Sequence, residues 1–261
     1  MSKHESDLAL AQRLADAAAV LSLARFRGEL QSWSKADGSL ATEVDLAVED
    51  ELRARLLAER PADAMLGEER GHSGEGARRW IVDAIDGTVE FAAGTPDWST
   101  LIALEVDGRV VVGVCDQPAH QRRYWAVRGG GAFLADASTP AGRPLRVSSA
   151  RELAKARSFL PPPRWRPNAR AHAIAEQLAG ATAPEPPLAH PALQVAAGGY
   201  EVAVFLSCSI WDIAAPALVV EEAGGRFTDL AGRRDMTSGN AVYSNGLLHD
   251  AVLQLVAQTR G

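Results

Sequence analysis

Between Asp7 and Arg27 the apolar positions Leu10, Leu14, Ala17, Leu21 and Ala24 recur at three- and four-residue spacing, which predicts an amphipathic packing helix capped by Ser6 or Asp7. A polar loop, Lys35 to Thr42, separates it from a second helix that starts at Thr42 and sets Val48, Leu52 and Leu56 on one face. The pattern then changes to short apolar runs. Met65-Leu66-Gly67 and Trp80-Ile81-Val82 read as two strands, and Ser99 to Val106 and Arg109 to Cys115 as a hairpin turning at Asp107-Gly108. Tyr124 to Val127 and Ala132 to Leu134 form a second strand pair around Gly129-Gly130-Gly131. No helix carrying Lys-Ser/Thr follows that triple glycine, so it reads as a tight turn and not as a phosphate loop.

Beyond residue 150 the punctuation is prolines, Pro161-Pro162-Pro163 and Pro184-Glu185-Pro186-Pro187, around a helix from Ala169 to Leu178. A further helix opens at Asp212, buries Ile213, Pro216, Val220 and Ala223, and stops at Gly224-Gly225. Strands near Arg226 and Ala241 and a final helix from His249 to Gln258 complete the order: helices, an antiparallel hairpin-rich sheet, then mixed α/β. No internal repeat and no long flexible linker interrupts it, and a second lobe is expected to begin near residue 140, giving lobes 1–140 and 141–261 packed tightly together.

With 261 residues and 47% hydrophobic content the chain can bury a large core. Its 27 Lys and Arg against 33 Asp and Glu give a net charge of −6 without a block of like charge, so no nucleic-acid footprint and no polybasic membrane patch is expected. No apolar run reaches the roughly 20 residues of a membrane span. Met1-Ser2-Lys3-His4-Glu5 lacks the apolar core of a signal peptide, and Cys115 and Cys208 are expected as reduced, buried thiols; together these favour a soluble, cytoplasmic protein. His4, His72, His120, His172, His190 and His249 show no zinc-ligand spacing, and no serine sits in a G-x-S-x-G elbow. Carboxylates are left to carry the chemistry.

Three acidic stretches stand out. In Trp80-Ile81-Val82-Asp83-Ala84-Ile85-Asp86-Gly87-Thr88 a buried strand ends at a turn where Asp83 and Asp86 can face one hard cation, with the Ile85 carbonyl as a third oxygen. Gly87 and Thr88 offer backbone N–H groups at a helix start, a seat for phosphate oxygens. Gly67-Glu68-Glu69 ends the neighbouring strand in paired carboxylates, and Trp211-Asp212 opens a helix, where an aspartate is also an ordinary N-cap. Asp45 and Glu49 lie one turn apart near the start of the second helix, a pattern that by itself only complements the helix dipole.

Gly67-Glu68-Glu69, Asp83-Ala84-Ile85-Asp86-Gly87-Thr88 and Trp211-Asp212, in that order, resemble the signature of the inositol monophosphatase-like metal-dependent phosphatases, which are typically lithium-sensitive. The stretches from Asp116-Gln117-Pro118-Ala119 to Gly129-Gly130-Gly131-Ala132-Phe133 and Ser244-Asn245-Gly246-Leu247-Leu248-His249-Asp250 most resemble the bacterial histidinol-phosphatase branch. The resemblance implies a layered α/β/α/β/α sandwich of the inositol monophosphatase and fructose-1,6-bisphosphatase type, and a homodimer. It implies two or three Mg²⁺ ions, one held by Glu68, Asp83 and the Ile85 carbonyl and a second by Asp83, Asp86 and Asp212. A metal-activated water, oriented by Glu68 and Thr88 with Asp45 accepting from the Thr88 hydroxyl, would hydrolyse a small phosphate monoester held by the Gly87 and Thr88 amides.

The implied substrate is histidinol phosphate, with inositol 1-phosphate or a 3'(2'),5'-bisphosphate nucleotide as alternatives. Two departures bear on this. Ala84 stands where the family usually has proline, which loosens the turn without removing a ligand. The family's substrate-reading segment is replaced by Ala189-His190-Pro191-Ala192 and Phe205-Leu206-Ser207-Cys208, without its hydroxyl- or amine-reading carboxylates. A phosphatase-like binding protein of weak turnover is therefore the rival expectation.

Overall fold

The computed structural model describes residues 4–163, 167–186 and 190–259. Met1, Ser2 and Lys3, Pro187 of the second proline run and Ala189 of the replaced segment lie outside the described residues. In chain order the first half comprises α1 (Glu5–Arg25), β1 (Ser32–Ser34), β2 (Leu40–Thr42), α2 (Glu43–Glu59), β3 (Ala64–Gly67), β4 (Gly71–Ser73), β5 (Arg78–Asp86), α3 (Thr88–Ala92), β6 (Ser99–Val106), β7 (Arg109–Gln117), β8 (Arg122–Val127), β9 (Gly131–Asp136) and β10 (Thr139–Pro144). The rest comprises β11 (Arg157–Phe159), α4 (Ala169–Ala181), β12 (Ala183–Pro184), α5 (Pro191–Ala196), β13 (Val202–Phe205), α6 (Ile210–Glu222), β14 (Arg226–Thr228), β15 (Ala241–Ser244) and α7 (His249–Gln258).

An eight-stranded sheet runs in the order β10-β9-β8-β7-β6-β5-β3-β4, and a five-stranded sheet in the order β12-β11-β13-β15-β14. The first is antiparallel except where β3 and β5 run parallel, so both of those strands end on the same edge. Period-two alternation assigns each face. Trp80 and Val82 of β5 and Ile102 and Leu104 of β6 pack under Leu10 and Leu14 of α1 and Val48 and Leu52 of α2, while Ile81, Leu101 and Ala103 point the other way onto α5 and α6. In β13 and β15, Ala203 and Tyr243 join that central layer, and Val202, Val204 and Val242 face α4 and α7. The layers are thus α1/α2, sheet, α5/α6, sheet, α4/α7: the α/β/α/β/α sandwich.

Helix α6 lies between the two sheets, which is why Ile213 to Val220 are all buried and no polar face is present along that run. It rests on a floor of small residues, Ala103, Gly113, Ala126 and Ala132, paired in one row across β6, β7, β8 and β9. A Cβ at Gly113 would meet the Ala215 carbonyl oxygen at 2.9 Å, so the helix and strand backbones touch there.

Several local expectations change. Neither Ser6 nor Asp7 caps α1: His4 occupies the cap position, and the Asp7 carboxylate is engaged by Arg78 at 2.8 Å. The segment from Lys35 to Thr42 is not wholly loop, because Leu40–Thr42 pairs antiparallel with Ser32–Ser34; that backbone ladder leaves no hydrophobic alternation to read. The triple glycine is a turn, and its Gly129 and Gly131 amides donate to the Glu222 carboxylate of α6 at 2.9 and 3.0 Å. Cys115 is buried, Cys208 only partly so, and neither forms a disulfide. Among the described residues no helix is long and apolar enough to cross a membrane.

Two outcomes follow from this packing. Gly113→Ala should lower stability by about 1–3 kcal/mol in a denaturant titration, because the contacting atoms are backbone and cannot swing aside; unchanged stability would show that α6 can slide. His249 is fully buried, with Thr228 Oγ1 2.9 Å from Nε2 and Ser244 Oγ 2.8 Å from Nδ1, and burial lowers its pKa from 6.5 to about 4. The unfolded chain therefore takes the proton first, and this stabilising contribution is lost as pH falls from about 6.5 to about 4. Melting curves of His249→Gln should show a shallower decline over that window than wild type.

Candidate metal centre

Strands β3 and β5 end side by side, and the first turn of α6 meets them from the central layer. One carboxylate oxygen each from Glu68, Asp83 and Asp212 lies within 4.8 Å of the others. Asp83 is 2% exposed, and burial followed by the charges of Glu68, Asp86 and Asp212 pushes its carboxyl well above the usual range. Burial and the charges of Asp212 and Glu68 do the same to Asp86, which is not one of the three mutually close groups and whose side chain is 27% exposed. Glu68 and Asp212 are likewise raised, first by burial. Clustered carboxylates out of water favour protons or cations over bare charge. An all-oxygen donor set of this kind fits a hard divalent cation such as Mg²⁺.

Each side chain is delivered by a local device. β5 does not turn at Asp83 as the sequence suggested: it continues to Asp86 through a register shift between Asp83 and Asp86 against β6, and the bulge aims both carboxylates toward the same edge. The Ala84 carbonyl accepts from Thr100 Oγ1 at 2.8 Å, which holds this stretch where the family's proline would preset it. Ile85 is buried, and its carbonyl oxygen lies 3.1 Å from Thr88 Oγ1. Gly87, at φ 90°, caps α3, so Thr88 begins a helical turn. The Thr88 hydroxyl also lies 2.9 Å from Asp45 Oδ1 and donates to it.

Asp45 is buried and does more than complement a dipole. Its Oδ2 accepts from the Thr42 amide at 2.9 Å and from the Thr42 hydroxyl in a capping box, while Oδ1 faces Thr88. Glu49, given the same bland reading from sequence, accepts from the Glu69 and Arg70 amides at 2.7 and 3.0 Å and from Arg53, and so braces the Glu68-Glu69 turn. A Cβ at Gly67 would run into this carboxylate, so a larger residue at the end of β3 would push the Glu49 brace aside. The available signal was its place on the Asp45, Val48, Leu52 stripe of α2, where a charge must find buried partners. Asp212 is not the N-cap. Ser209 is, and Asp212 sits at the third helical position, where Oδ2 accepts from the Ser209 amide at 2.6 Å.

Lys35, read only as a loop residue, lies on the β1–β2 turn with Nζ 2.5 Å from Glu68 Oε1 and 2.7 Å from Glu69 Oε1. Burial works against its charge, but the hydrogen bonds to both glutamates outweigh that and raise its pKa. One cation thus faces a cluster of carboxylates. Nothing in the spacing of a lone lysine in a polar loop announces this.

The family model described as "Inositol monophosphatase family" matches residues 3–260. The chain belongs to the inositol monophosphatase family. Across family members it is 45% identical over 255 residues to the histidinol-phosphatase of Mycobacterium tuberculosis, covering 95% of this chain and 96% of that one. It is 38% identical to the histidinol-phosphatase of Streptomyces coelicolor, covering 99% of each. Among solved structures the extragenic suppressor protein SuhB of Bartonella henselae superposes with a TM-score of 0.88 at 26% identity, over 98% of this chain and 100% of that one.

Asp212→Asn keeps a side-chain oxygen to accept from Ser209 while removing one negative charge from the cluster. In the metal-free protein its melting temperature should match or exceed that of wild type at pH 7, since a repulsive neighbour of Asp83 and Asp86 is gone. A clear drop would mean that the charge itself holds α6 in place.

Proposed function

We propose that this family member hydrolyses a small-molecule phosphate monoester with Mg²⁺, in two or three ions, as cofactor. The observation that carries the reading is the buried convergence of Glu68, Asp83 and Asp212 next to the Thr88–Asp45 hydrogen bond. In this reading Glu68, Asp83, the Ile85 carbonyl, Asp86 and Asp212 hold the ions. The chemistry that Mg²⁺ supplies when held there is neutralisation of the phosphoryl oxygens and acidification of the attacking water.

The chain's own groups do the rest. The Thr88 hydroxyl proton is committed to Asp45 Oδ1 at 2.9 Å, so the lone pairs of Oγ1 are left to accept from the attacking water and orient it. Glu68 accepts the water's second hydrogen bond. Asp45, whose carboxyl is raised by burial, can take up the proton that Thr88 relays. The Gly87 and Thr88 amides, at the start of a helical turn, hold phosphate oxygens. The chain divides in this reading into an N-terminal lobe, 1–140, with most of the ligands, and a C-terminal lobe, 141–261, with Asp212. Overall likeness puts histidinol phosphate first among substrates, ahead of myo-inositol 1-phosphate and 3'(2'),5'-bisphosphate nucleotides.

Release of inorganic phosphate from p-nitrophenyl phosphate and histidinol phosphate should require Mg²⁺. Asp212→Asn should reduce kcat by about a hundredfold or more, roughly 2.7 kcal/mol of transition-state stabilisation. If a broad panel of phosphomonoesters is left uncleaved by wild type, the enzyme reading fails. If myo-inositol 1-phosphate gives the higher kcat/KM, histidinol phosphate is displaced as the substrate.

A further inference from the structure

Glu49 is fully buried, and both of its carboxylate oxygens are engaged. Oε2 accepts from the Glu69 amide at 2.7 Å, and Oε1 accepts from the Arg70 amide at 3.0 Å and from Arg53 Nε and Nη2 at 3.1 and 2.7 Å. Two successive N–H groups turned onto one anion form a concave backbone nest, so the main chain that follows Glu68 is gripped from the α2 side. The same Arg53 guanidinium reaches the Gly71 carbonyl and the Ser73 hydroxyl, which ties β4, on the far side of the turn, to α2 as well. With the amides of residues 69 and 70 held by the helix, the Glu68 side chain is left to meet Asp83 and Asp212.

Asp45 stands one helical turn before Glu49. Four residues advance a helix by about 6 Å, close to the roughly 4.8 Å that separates neighbouring strands. β3 and β5 are such neighbours, and the groups held by the two carboxylates follow their ends: the Glu69 amide after β3, and after β5 the Thr88 hydroxyl, 2.9 Å from Asp45 Oδ1. One turn of α2 therefore spans both strand ends. Val48 and Leu52, buried on the same stripe, pin the helix to Trp80 and Val82 of β5.

We propose that Glu49 is a positioning residue for Glu68, and that α2, through Asp45 and Glu49 together, sets the distance between the two groups that receive the attacking water, the Thr88 hydroxyl and the Glu68 carboxylate. This rests on the proposed function, which gives Thr88 and Glu68 those places. Glu49 acts through the backbone of residues 69 and 70, not through the ion or the substrate. Outer partners of metal ligands typically change metal affinity or activity by about 10–100-fold when removed. Glu49→Gln keeps the volume but turns an NH2 group toward a backbone N–H, so one amide loses its acceptor and the turn loosens. Gly67→Ala loosens it without altering a charge, because its Cβ would fall on the Glu49 carboxylate and displace it.

Calorimetric titration of the metal-free proteins with MgCl₂, metal-free melting curves, and kinetics on p-nitrophenyl phosphate at saturating Mg²⁺ separate positioning from support of the fold. Glu49→Gln and Gly67→Ala should each weaken Mg²⁺ binding by about 10–100-fold and lower kcat in the same range, with KM held because the Gly87 and Thr88 amides are untouched. In a Glu68→Gln background, Glu49→Gln should change Mg²⁺ affinity and kcat no further, while its effect on the metal-free melting temperature persists. Glu49→Gln that folds and matches wild type in isotherm and kcat overturns the positioning role, as does a loss of equal size whether or not Glu68 is present. If Glu49→Gln does not fold, the same two criteria are read from Gly67→Ala. A wild type that binds no Mg²⁺ or cleaves no phosphomonoester overturns the proposed function instead, a separate result.

Discussion

Carboxylates brought together out of water repel one another, and the site is built around containing that repulsion. Asp83 is buried with Glu68, Asp86 and Asp212 as neighbours, and all four carboxyls are shifted toward the protonated form. No flexible surface loop would keep such an arrangement, since its members would swing apart into solvent. Here each is tied by backbone to a rigid element: a bulged strand for Asp83 and Asp86, a turn braced by Glu49 for Glu68, and a capped helix for Asp212. The free energy that holds them comes from the apolar layers on either side, which meet their own burial requirements independently of the charges.

Much of the fold was legible because its signals are local. Period-two alternation in β5 and β6, the Asp107-Gly108 hairpin and the uniformly apolar run from Ile213 to Val220 each state a burial pattern that the layers then satisfy. The two-stranded pairing of Ser32–Ser34 with Leu40–Thr42 was not legible, because its polar strands bury little and show no alternation. The cap of α1 was missed for a related reason: an arginine far along the chain, Arg78, claims the aspartate that would have served.

The candidate site divides in the same way. Its carboxylates could be singled out because each borders an apolar segment, whereas the contacts that orient them join residues with no sequence relation. Lys35 to Glu68 and Glu69, Thr88 to Asp45, and Glu49 to the Glu69 amide are all of this second kind. The pairing of Asp45 with Thr88 was reached through family likeness, and the roles of Glu49 and Lys35 not at all. Charged side chains on a buried helix stripe, or alone in a loop, specify that partners must exist but not which ones.

Helix α6 has a consequence for how the protein comes into being. It is the middle layer of the sandwich, and it is made late. The eight-stranded sheet and both N-terminal helices are synthesised before it, and until α5 and α6 arrive the inner face that holds Ile81, Leu101 and Ala103 has no cover. On a ribosome, then, the first half of the chain is a sheet with one wet face, a form that invites chaperones or self-association. Asp212 rides on the same helix, so the last carboxylate of the cluster and the closing of the core reach the molecule in a single event.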